Sequence, residues 1–107
     1  MEESQKMASL IRATTPTFKY TFKCIDVADI TTAYLTIEQG NFEIEKDLTQ
    51  ATVGEDYIAW ALTQSETLQL NPGNASVMLN WLTDQGLRGA SKKTMLMVED
   101  NSKDEVI

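Results

Sequence analysis

Glu43 and Glu45 stand two residues apart in "NFEIEK", a spacing that puts both carboxylates on one face of a strand. Two carboxylates flanking one bond are what glycoside cleavage requires, one as acid and the other as base or nucleophile. That division of labour needs an apolar pocket that raises the pKa of one of them. Nothing around the pair supplies such a pocket, so a solvated strand face is the expected role.

The remaining chemical options are weaker. A serine nucleophile needs a base, and the chain has no histidine, which leaves a serine with Lys92 or Lys93 as a formal option only. Glu99, Asp100, Asp104 and Glu105 gather four carboxylates, but without the spaced loop and central glycine that calcium takes. Cys24 is the single cysteine, so an intrachain disulfide is excluded, and a structural zinc site would have to be built from one thiolate and carboxylates. Its parity with Phe18, Tyr20 and Phe22 predicts a small buried hydrophobe. Asn74-Ala-Ser76 matches the acceptor pattern for N-glycosylation, a match short enough for chance to produce. No catalytic, cofactor-binding or metal-binding residue is expected, and a non-enzymatic protein follows.

Composition narrows the partners. A chain of 107 residues, 42% hydrophobic and 23% charged, suits one core and one domain. The net charge of −7 argues against a surface made to neutralise phosphates, so neither nucleic acid nor an anionic membrane is an expected partner. No apolar run approaches the about 20 residues of a membrane span. "MEESQKMASLI" lacks the charged-then-apolar order of a signal peptide, which predicts a protein that is not secreted by that route.

The elements that would position these residues are mostly strands. Residues 1–13 read as a flexible N-terminal arm, and 14–107 as the domain. Phe18, Tyr20, Phe22 and Cys24 alternate with Thr17, Lys19, Thr21 and Lys23, the strongest strand pattern in the chain. Asp26 to Ile30 connects, turning Val27 or Ile30 inward. Tyr34 to Lys46 reads as a hairpin, with Ala33, Leu35 and Ile37 facing inward before a reversal at Gln39-Gly-Asn41. Asp47 to Asp56 is a loop or frayed strand. Tyr57 to Leu62 fits helix or strand by period; strand is favoured, because a helix running to Leu70 would leave Trp60 on a polar side. Ala75 to Trp81 is a further strand, Asp84-Gln85-Gly86 a turn, and Leu87 to Val98 the return. Within that return Arg88 to Lys93 reads as an edge whose lysines discourage pairing with another molecule.

"TQSETLQL", from Thr63 to Leu70, interrupts this alternation. Thr63 and Glu66 have capping-box spacing, in which the hydroxyl accepts the amide three residues on and the carboxylate returns to the threonine amide. The segment predicts a short capped helix whose Leu68 and Leu70 drop onto the core. Tyr34 and Tyr57 fall on the parity opposite their buried neighbours and present their rings outward, as partner-binding and sugar-binding faces do. With Arg88, Lys92 and Lys93 they make up the expected partner-binding surface.

Four segments carry a resemblance: "IRATTPTFKYTFK", "AYLTIEQGNFEIEK", "ALTQSETLQL" and "GNASVMLNWLTDQGLRGAS". In that order they resemble a family of small proteins encoded in phages and prophages of Firmicutes. That family has an "RGTTPTF" opening, an "LTQeET" segment and a glycine hairpin, and its members are similar to the N-terminal domain of phage baseplate upper proteins. The likeness covers Ile11 to Ile107 and is most specific at Leu62 to Thr67. Two departures stand out: Ala13 where glycine is usual, and "SKK" in the last strand. The expectation is an all-β, antiparallel, immunoglobulin-like β-sandwich with one short helical turn near 63–70. The resemblance implies a virion tail or baseplate component, found in the virion or the bacterial cytoplasm, whose partners are other phage structural proteins or copies of itself in a homo-oligomer. Two alternatives remain: a glycan- or receptor-binding module, and an acidic accessory protein that binds a host protein.

Overall fold

Strand alternation builds two facing layers. The computed structural model describes residues 8–107, with nine strands among them. These are β1 (Ala8–Ile11), β2 (Thr17–Thr21), β3 (Ile30–Gln39), β4 (Phe42–Asp47), β5 (Thr52–Val53), β6 (Tyr57–Ala61), β7 (Gly73–Thr83), β8 (Arg88–Ala90) and β9 (Thr94–Glu99). The one α-helix among the described residues, α1, runs Gln64–Leu68. The larger sheet has the order β1-β9-β7-β3-β4, with β8 also paired to β7, and the smaller has β2-β6-β5.

Every second residue of the larger sheet enters the core: Ala33, Leu35 and Ile37 from β3, Ala75, Val77 and Leu79 from β7, Leu96 and Val98 from β9. Ile58 and Trp60 meet them from β6. Taking β2, β6 and β5 as strands B, E and D and β3, β4, β7 and β9 as C, C′, F and G, the order is that of an immunoglobulin-like sandwich with a C′ strand on its larger sheet. Its pin is not a B–F disulfide. Trp60 on strand E is wholly buried and donates its indole N–H to the Asp47 carbonyl at 2.9 Å, tying the two sheets together.

The hairpin, the β6 strand and the capped helix form where the sequence predicts them. Gly40, at φ 61°, begins the two-residue reversal between β3 and β4. Val27 and Ile30 are both buried, Val27 opening a 3-10 turn and Ile30 closing it. The loop 47–56 holds another 3-10 turn, capped by Asp47, and the short β5.

Several expectations need correction. Ala8–Ile11 is not an arm: it pairs with β9, and Leu10 is buried in the core. Residues 1–7 of the predicted arm lie outside the described residues. The β1–β9 pairing is parallel, so the sheet is not wholly antiparallel. Cys24 is exposed because β2 ends at Thr21, and parity has no meaning past a strand's end. The return Leu87 to Val98 is two strands. Ser91 breaks it by standing in for the ladder: its hydroxyl accepts the Leu79 amide at 2.9 Å while its own amide donates to the Leu79 carbonyl. Leu70 is buried, but Leu68 is only half-buried. No helix among the described residues is long and apolar enough to cross a membrane.

Candidate functional site

The outer face of the larger sheet is set by the residues that alternate with the core. On β3 these are Thr32, Tyr34, Thr36 and Glu38, and on β7 Asn80 and Leu82 flank the Tyr34 position. Tyr34 stands opposite Asn80 on one side and Asp47 on the other. It is 41% exposed, and Leu82 beside it is 36% exposed.

Tyr34 separates two shallow depressions. One, of about 160 Å³, is lined by Thr32, Tyr34, Asn80, Trp81, Leu82 and Arg88. The other, about 350 Å³, is lined by Tyr34, Glu45, Asp47 and Gln50. The ring therefore has an apolar hollow with a guanidinium at its rim on one side and a carboxylate-lined hollow on the other. Arg88 is steadied by a bond from Nη2 to Asn80 Oδ1 at 3.2 Å. The wall of the first hollow is held from behind. Trp81 packs edge-on against Phe22 at 5.1 Å between ring centroids, and its indole lies so close to Gly89 that a Cβ there would sit 2.3 Å from Cζ2.

Of the expected surface residues, the fold brings Tyr34 and Arg88 together and leaves the others apart. Tyr57 lies on the outer face of the smaller sheet, half-buried, with its ring over Gly54 and the Lys19 ammonium 4.4 Å from the ring centroid. A platform made of both tyrosines does not form, because they occupy opposite layers. Lys93 is turned to Glu38, 3.3 Å away, and Lys92 is exposed between β8 and β9. Glu43 and Glu45 are exposed as expected, and Glu43 faces Glu38 directly across the ladder. Lys93 offsets that like-charge pair. No cluster of metal-ligating side chains occurs among the described residues.

Glu45, Asp47 and Gln50 join the site although the sequence reading did not place them with Tyr34. The signal for Glu45 and Asp47 was present in their parity on the hairpin, which puts them on the face of Tyr34. Gln50 carries no such signal, because a 3-10 turn after β4 decides its position.

The strand order defines a class: an immunoglobulin-like β-sandwich. No family model matches the chain, and no curated protein matches it. Among solved structures, murine CRIg is similar at 7% identity over 90% of this chain and 92% of its own, with a TM-score of 0.43, a likeness that adds nothing to the strand order itself.

Proposed function

We propose that the protein is a non-enzymatic interaction module of a phage or prophage particle, a component of the tail or baseplate. The observation that carries the interaction role is the Tyr34 face: an exposed ring and Leu82 between opposite charges, a composition suited to desolvation by a protein partner. Support for the phage assignment is the order of the four segments described above. Ala13 adds to it. Its φ of 69° is the left-handed state that glycine adopts freely, and glycine is the usual residue of the "RGTTPTF" opening at this position.

On this reading the protein resides in the virion or, before assembly, in the bacterial cytoplasm. Its partners are other structural proteins or copies of itself. Mass spectrometry of particles purified from an induced lysogen tests the role. Recovery of the chain in stoichiometric amounts is the expected result, and its absence from intact particles overturns it.

A further inference from the structure

We propose that the Tyr34 face docks on a second copy of this chain through a two-fold contact centred beside Tyr34. The inference rests on the interaction role and names its partner. Cross-strand register supplies the geometry. Tyr34 shares a row with Asn80 and Ala90. Two residues along β3 in one direction, Thr32 shares a row with Leu82 and Arg88. Two residues in the other direction, Thr36 pairs with Glu45 on the opposite strand. Arg88 and Glu45 thus stand at opposite corners of the face, with Tyr34 between them.

Among the described residues neither group has an ion-pair partner. Arg88 uses one donor on Asn80, and a guanidinium has five. Contacts related by a two-fold axis are self-complementary: where residue i meets j, j meets i. A contact of that kind sets Arg88 of each copy on Glu45 of the other and lays each Tyr34 ring toward the Leu82-lined hollow opposite. A partner of another sequence has no need of this diagonal antisymmetry, which is why a second copy is the occupant the face favours. The net charge of −7 on each copy opposes approach at long range, but at physiological salt that repulsion is screened beyond about 8 Å, while the two charge pairs act in contact.

Sedimentation equilibrium at physiological ionic strength tests the contact with the wild type, Arg88→Glu, Glu45→Arg, and a 1:1 mixture of the two variants. Both side chains are exposed, so neither substitution disturbs the core of the single chain, and melts at concentrations below the dimer's Kd should match the wild type. The wild type should dimerise. Each variant alone meets two like-charge contacts per dimer and should dissociate with a Kd weaker by about 100-fold or more. The mixture restores both opposite-charge pairs and should dimerise again. A wild type that stays monomeric at several hundred micromolar overturns the proposal, as does a variant that dimerises like the wild type, or a mixture that stays monomeric. A monomer still found in particles would remove this contact and leave the tail role standing, whereas a dimer missing from particles would do the reverse.

Discussion

Lys46 Nζ and Glu66 Oε2 meet at 2.9 Å across the seam between the edge strand of the larger sheet and the helix that plugs the sandwich. Lys46 points inward from β4, only 8% exposed, and also donates to the Ala61 carbonyl at 3.3 Å. An inward lysine on an edge strand deters pairing with another sheet, and here it doubles as a tether. Glu66 serves two masters: Oε1 accepts the Thr63 amide at 2.8 Å to complete the capping box, and Oε2 accepts Lys46.

Breaking this pair from its two ends should give unequal costs. Glu66→Gln keeps an oxygen for the Thr63 amide but leaves the Lys46 ammonium buried without a counter-charge, and is expected to destabilise by about 2–3 kcal/mol. Lys46→Met removes the buried charge itself and leaves Glu66 with its cap and partial access to water, so it should cost clearly less. Urea midpoints of the two variants check the order; equal losses would contradict the asymmetry.

Acid should loosen the same seam. Burial tends to raise the Glu66 pKa, but the Thr63 amide and the Lys46 ammonium outweigh it, and the net shift is downward. A carboxyl whose folded pKa is depressed contributes stability that is fully present above its unfolded value, about 4.3 for glutamate, and is lost as pH falls through the folded value. Thermal melts from pH 6 to pH 3 should therefore show a decline that is shallower in Glu66→Gln.

Ala13 holds φ at 69°, where an L-residue's Cβ crowds the backbone. Ala13→Gly should raise stability by about 1 kcal/mol, the relief of left-handed strain less the extra freedom glycine brings to the unfolded chain. A denaturant titration in which the variant proves less stable would refute the strain.

Arg12 closes the bottom of the sandwich. Its guanidinium donates to the Leu70 carbonyl at 2.6 Å and the Leu68 carbonyl at 2.9 Å, and pairs with Asp104. These carbonyls belong to the last residue of α1 and to the second residue beyond it, where a planar fork of donors fits and a single ammonium does not. Arg12→Lys should cost about 2 kcal/mol and Arg12→Ala about 3, the range for a part-buried charged hydrogen-bond network. Faster amide exchange in residues 99–107 and at the end of α1 should accompany the loss.

Gly89 has no room for a methyl group beneath Trp81. Gly89→Ala must displace the indole from its edge-on contact with Phe22 or bend β8 away from β7, at about 1–3 kcal/mol. The near-ultraviolet circular dichroism of Trp81 should change with it; an unaltered spectrum and unaltered melt would count against the packing.

Local physics was readable along the chain. Alternation at Ala33, Leu35 and Ile37 or at Ala75, Val77 and Leu79 names the core face of a strand without its neighbours, since side chains in an extended backbone point alternately to either side. The Thr63–Glu66 capping box and the Gly40 reversal are likewise matters of three or four adjacent residues. The outward exposure of Tyr34 followed from the same parity.

What lay beyond a strand's length was decided by the tertiary structure. The arm became β1 because Leu10 gains a core and Ala8–Ile11 gain a ladder only when β9, about ninety residues on, is already placed. Arg12 is a polar residue near one end until the fold brings the Leu68 and Leu70 carbonyls to it. Cys24 fell on the predicted parity yet lies in water, because nothing beyond Thr21 holds the chain in the sheet. The face at Tyr34 gathers residues from β3, β4, β7 and β8 by register alone, and register is fixed by which buried rows satisfy each other across the sheet.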